Sequence, residues 1–176
     1  MTSTPTDVVS YRATRLTVEV GRNLARFRER YEHAVPPFPA AEVRKLTQRK
    51  SSWQDTLDLM AATSPLGFFI FFVNDAGPTV RLAGDQASGV AYLMGNAAIM
   101  ERTFRRLPAI LLYAPLRTVI WQRPGGPAYF TFDKPSDQFR SFADPDITET
   151  GIEFDGKLAA LLDHLGVAVP HELLSR

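Results

Sequence analysis

The sequence predicts an α+β fold, a single mostly antiparallel five-stranded sheet with helices packed mainly on one face. Three observations predict it. Five short runs read as strands, yet they interleave irregularly with helical runs and lack the βαβα alternation of a doubly wound sheet. Two of them, "LRTVIWQ" and "AYFTFD", are joined by "RPGGP", a turn-rich link short enough for an antiparallel hairpin. The last long run, "TGIEFDGKLAALLDHLG", carries Ile152, Leu158, Leu161, Leu162 and Leu165 on one broad apolar stripe, so it is a helix with one side to bury.

The elements follow in order. In "TRLTVEV", Leu16, Val18 and Val20 alternate with Arg15, Thr17 and Glu19, which marks a half-buried strand ended by Gly21. From Arg22 to about His33, Leu24, Phe27 and Tyr31 fall at helical spacing, and Pro36-Pro37 stops that helix. "AAEVRKLTQRK" reads as a second, short helix. Ser52, with Asp55 three residues on, caps a third over "WQDTLDLMAAT". "LGFFIFFV" is a strand whose alternation puts Phe69, Phe71 and Val73 on one side and Phe68, Ile70 and Phe72 on the other. Both sides are apolar, so both call for cover by a further layer, loops around a pocket, or a second subunit. A short helical or irregular piece runs to Gly84, "ASGVAYLM" is the third strand, and a helix from Asn96 to about Leu107 ends at Pro108. Pro135-Ser136 opens a short helix through Phe142, and Gly166 terminates the last one.

A length of 176 residues suits one sizeable core, so residues 11–176 are expected to form one α+β domain behind a frayed or disordered tail at 1–10. The polar start has no apolar signal core, and no run is long enough to span a bilayer, which predicts a cytoplasmic protein away from membranes. Cysteine is absent, removing disulfides and thiolate chemistry. His33, His164 and His171 show no metal-ligand spacing, so neither a metal site nor a cofactor is called for, haem included. The net charge of +1 hides an excess of basic residues at 1–50 and of acidic residues at 133–176. Arg22, Arg26 and Arg30 form a basic helical ridge, but the aromatic interleaving of nucleic-acid binders is missing, so no nucleic-acid partner is expected.

The hairpin permits a geometric expectation. Pairing Gln122 with Ala128 sets Trp121 opposite Tyr129, Val119 opposite Thr131 and Arg117 opposite Asp133 on one side, with Thr118, Ile120, Phe130 and Phe132 on the other. The first side, extended by Tyr92 from the neighbouring strand, is the candidate ligand face. There Arg117 is either an anion clamp or half of a cross-strand ion pair with Asp133. Gly95-Asn96 is a second candidate, since Asn96 opens a helix and can either cap it or help hold an anion. Among carboxylates, Asp55 and Asp58 share a helix face, and Asn74-Asp75 follows the phenylalanine-rich strand in ordinary turn chemistry. Ser64, Ser88 and Ser136 have no nucleophile-elbow context.

The segments "GFFIFFVNDAGP", "YLMGNAAIMERTF", "LPAILLYAPLRTVIWQ" and "FDKPSDQF" carry a resemblance over about Trp53 to Val167. This block resembles the family catalogued as domain of unknown function 302. The matching positions are Asp75, Gly95, Asn96, Pro115, Leu116 and Arg117, and Ala97 stands where many members have proline. The resemblance implies a small α+β domain that pairs through its sheets as a dimer, and it brings no established reaction.

Three readings follow. The leading one is a homodimeric domain binding a small aromatic or apolar anionic molecule through Tyr92, Asn96, Arg117, Trp121 and Tyr129. The second is an enzyme free of metal and thiol chemistry, with Asp75 or Asp133 as general base and Arg117 or Lys134 as stabiliser. The third is a dimeric interaction module with no ligand.

Overall fold

A computed structural model describes residues 7–175. Residues 7–10 carry no regular structure, and the remainder of the expected tail, 1–6, lies outside the described residues.

Fourteen short segments follow the order in which the sequence reads, and the regular ones are β1 (Arg15–Gly21), α1 (Leu24–Ala34), α2 (Ala40–Gln48), α3 (Trp53–Thr63), β2 (Phe69–Asp75), α4 (Gly77–Leu82) and β3 (Ser88–Gly95). Then come α5 (Ala97–Arg106), β4 (Leu116–Gln122), β5 (Ala128–Asp133), α6 (Pro135–Arg140) and α7 (Pro145–His164), with 3-10 turns at Pro108–Leu112 and His171–Leu173. The strands make one antiparallel sheet in the order β1-β5-β4-β3-β2.

Alternation decides which side of each strand is dry. Leu16, Val90, Tyr92, Met94, Leu116, Ile120, Phe130 and Phe132 face the helices, and α1 and α7 supply Phe27, Tyr31, Phe154, Leu158, Leu161 and Leu162 against them. The rings interlock: Tyr31 lies 4.9 Å from Tyr92 and 5.4 Å from Phe130 between centroids. Burying one such ring contributes about 2 kcal/mol.

Helix starts obey local chemistry. Ser52 and Asp55 form the expected capping box on α3. Helix α7 begins at Pro145, five residues before the run that the sequence marks from Thr150, because Asp144 accepts from the Asp146 and Ile147 amides and Pro145 occupies the first turn.

Strand β2 departs from its expected pattern. Phe69 pairs with Gly95 and Ile70 with Met94, but Leu93 is met by Phe72, so Phe71 is the extra residue of a bulge. The bulge resets the alternation: Phe69 and Phe72 share the outer face, while Ile70 and Val73 share the core face. Only the first half of the strand is covered. Phe68 packs on Phe154, and Phe38 meets both Phe69 and Phe71 from the Pro36–Phe38 segment, whose backbone bonds to Ile70. Beyond it Phe71, Phe72 and Val73 are 38%, 57% and 40% exposed, so this chain by itself does not cover both faces of the ribbon.

Candidate functional site

The outer face of the sheet is built by the β4–β5 hairpin. Gly125 takes a left-handed φ of 71° in the turn, Gly126 donates to the Arg123 carbonyl, and the Gln122 side chain ties the turn to the Arg22 and Gly126 carbonyls. With the turn pinned, the register is the expected one: Gln122 opposite Ala128, Trp121 opposite Tyr129, Val119 opposite Thr131. Trp121 and Tyr129 stack with centroids 4.7 Å apart at 28°. The indole N–H of Trp121 donates to Thr131 Oγ1 at 2.9 Å, and that hydroxyl lies 3.0 Å from Thr17 Oγ1 on β1.

Charge on this face is arranged by strand order. Strand β1 lies beside β5 and brings Arg15 opposite Asp133, where its Nε donates to Asp133 Oδ1 at 3.1 Å. The alternative cross-strand pair does not form. Arg117 is exposed and, among the described residues, makes no ion pair. A groove of about 330 Å³ runs over Arg15, Arg117, Val119, Trp121 and Thr131. A second hollow of about 400 Å³ shares Arg117 and Asp133 with it and is walled by Tyr11, Leu93, Leu112 and Tyr113.

Tyr92 does not belong to this face. It stands opposite Thr118 on the core side and is 1% exposed, because Ala91 and Leu93 are the residues that β3 turns outward. Its hydroxyl donates to Glu32 Oε1 at 2.9 Å, and Arg28 Nε donates to the same oxygen at 2.8 Å. Burial, reinforced by Glu32, pushes the Tyr92 phenol far above its ordinary range.

The other candidates scatter. Asp75 Oδ2 accepts from Arg28 Nη1 at 2.6 Å, and that bond, with the Gly77 amide, holds its carboxyl below the usual range. Lys134 lies on the core side, its Nζ 3.0 Å from the Ser175 carbonyl and 3.7 Å from Asp155 Oδ2. Asp155, a residue that no motif marks, also accepts from the Ser136 amide at 3.0 Å. Burial pushes its carboxyl up, against contacts with Ser136 and the charge of Lys134. Asn96 uses both ends of its amide locally: Oδ1 accepts from Ile99 N at 2.8 Å and Nδ2 donates to the Gly67 carbonyl at 2.6 Å. Arg26 and Arg30 are exposed on α1, with Arg30 lying 5.7 Å from the centroid of the Phe27 ring, whereas Arg22 precedes the cap residue Asn23 and so does not join the expected helical ridge. Among the described residues no three His, Asp or Glu side chains converge as a metal site would require, and no helix is long and apolar enough to cross a membrane.

Sequence reasoning missed Arg15, whose charge opposes Asp133 at the matching end of its strand. That pairing was a usable signal only once β1 was known to neighbour β5. Four of the six resemblance positions, Gly95, Asn96, Pro115 and Leu116, come together around one small hollow where β3 ends and β4 begins.

No protein-family model matches the sequence, and no curated protein matches it. Among solved structures the fold is similar to that of an uncharacterized conserved protein, DUF302, from Bacillus stearothermophilus. The TM-score is 0.61 and the identity 18%, over 86% of this chain and 97% of that one. The likeness supports the resemblance read from the sequence, and it is a likeness of fold.

Proposed function

We propose that residues 11–176 act as one cytoplasmic binding domain for a small planar aromatic anion on the outer sheet face. The supporting observation is the unpaired guanidinium of Arg117 in the same groove as Trp121, which stacks on Tyr129, with Asp133 already engaged by Arg15. An aromatic ring extends the stack while Arg117 meets its carboxylate or sulfonate. An acid–base reading draws less support, since Asp75 is held ionised by Arg28 and Lys134 lies on the other side of the sheet from Arg117. Fluorescence titration with the non-emitting anion anthraquinone-2-sulfonate in a Trp53→Phe background tests the proposal, Trp121 then being the sole indole reporter. Saturable quenching that Arg117→Ala and Tyr129→Ala both weaken is the expected result. Quenching that is linear in probe, or indifferent to both substitutions, refutes it.

A second reading, the dimeric module, rests on Phe72. It lies 57% exposed on the outer face of an edge strand whose opposite sheet edge, β1, carries Arg15 and Glu19. A second copy docking along β2 covers it. Sedimentation over a range of protein concentrations decides the matter, and a monomer throughout removes this reading.

A further inference from the structure

The hollow at the end of the sheet has a composition unlike the outer groove. Phe71, Met100, Ala114, Pro115, Leu116 and Phe154 line a hollow of about 170 Å³ that is open on one side, and almost none of its wall is polar. An apolar hollow of roughly this volume has room for a single ring or a branched chain.

Its rim supplies one polar group of defined sign. Asn96 spends its Oδ1 on Ile99 N and an Nδ2 hydrogen on the Gly67 carbonyl, and as a neutral amide it brings no charge to the rim. Lys157 follows Phe154 by three residues on α7, so both side chains project from one side of that helix. A Cβ added to Gly67 would lie 3.2 Å from Lys157 Nζ and 2.9 Å from Asn96 Nδ2, which sets the ammonium beside the rim. Lys157 makes no ion pair with any described carboxylate. An unpaired cation at the mouth of an apolar hollow complements an anionic head on an apolar body.

We infer that this hollow is a second binding site, separate from the outer face, for a small monocarboxylate with a monocyclic or short branched hydrocarbon tail. The tail fills the space between Phe71, Met100 and Phe154, and the carboxylate meets Lys157. The volume matches one ring or a short branched chain. A lone flexible ammonium suits one carboxylate better than a phosphate, which favours the bidentate fork of arginine.

The test uses the full chain with isotope-labelled methionine methyls, the Met100 signal being assigned from Met100→Leu. Benzoate and its uncharged counterpart benzyl alcohol are the probes. Benzoate is expected to shift the Met100 methyl saturably and to bind about fivefold more tightly than benzyl alcohol, the scale of one exposed ion pair. Lys157→Gln is expected to erase that preference. Gly95→Val places a branched side chain in the hollow, where the Cβ position is in ordinary contact with Pro115 and Phe71, and is expected to abolish the response to both probes. Ala97→Leu is the alternative plug should the valine variant fold poorly. If the Met100 methyl does not move saturably, or responds equally to both probes, or keeps its preference in Lys157→Gln, the inference is wrong. If the methyl shift vanishes in Arg117→Ala and survives both plugs, the probe lies on the outer face, which overturns this site while the first proposal stands.

Discussion

Asp133 accepts from Arg15 at 3.1 Å, and through that bond the first strand decides how the hairpin's arginine is left. With its carboxylate neighbour engaged, Arg117 points a free charge at the groove. Arg117→Ala is expected to weaken anthraquinone-2-sulfonate about tenfold, the value of one charge-assisted hydrogen bond. Arg15→Ala is expected to weaken it too, although Arg15 need not touch the ligand, because the freed Asp133 then competes for Arg117. Fluorescence titration of both variants checks this, and an Arg15→Ala variant that binds as wild type refutes the coupling.

Asn96 joins two segments through one amide. Asn96→Ala removes the cap on α5 and is expected to cost about 1–2 kcal/mol. Asn96→Asp keeps an acceptor for Ile99 N but turns an oxygen towards the Gly67 carbonyl, so it recovers only part of the loss. Urea denaturation measures both.

Two glycines of α7 are expected to respond in opposite directions. A Cβ on Gly151 would come within 2.7 Å of Phe139 Cβ and 2.8 Å of Ser136 Cα, so Gly151→Ala forces α6 and α7 apart at a cost of about 1–3 kcal/mol. Gly156 faces open space, and Gly156→Ala is expected to gain about 0.5–1 kcal/mol from helix propensity. The same denaturation assay reads both signs.

Two carboxylates act oppositely across the acid range. Asp75, depressed by Arg28, contributes stability above its ordinary value of 3.8 that is lost as pH falls through the folded-state value. Asp155, raised by burial, does the reverse: its contribution is complete below the ordinary value and is withdrawn as pH rises through the folded-state one. Melting curves from about pH 3 to pH 7 should therefore show Asp75→Asn flattening the acid decline. The gap between wild type and Asp155→Asn should be widest in acid and close as pH rises.

Phe72→Lys is expected to leave unfolding stability within about 0.5 kcal/mol, since the ring is mostly in water already. If the β2 edge joins two copies, the same substitution abolishes concentration-dependent sedimentation. A loss of several kcal/mol in the monomer would mean that the ring is packed after all.

Much of this architecture was legible locally. Period-two alternation in "TRLTVEV" and "AYFTFD" named the buried faces, and the short "RPGGP" link set the hairpin register, so Trp121 met Tyr129 as expected. Ser52 and Asn96 announced their caps because a cap needs only its own residue and the next turn. Asp144-Pro145 carried an equally local signal for the start of α7, overshadowed by the apolar stripe that begins later.

What the chain determined by itself were the elements, their caps and the hairpin, all made by residues a few positions apart whose sterics and hydrogen bonds need no distant partner. Tertiary structure alone decided the rest. Strand order set Arg15 on Asp133 across 118 positions, a single inserted residue at Phe71 reversed the faces of β2, and packing of α1 on the sheet brought the half-exposed Glu32 to the hydroxyl of the buried Tyr92. The reason is physical: alternation says which residues share a face, but which face is dry, and which charge finds which partner, depends on the elements that come to lie against it.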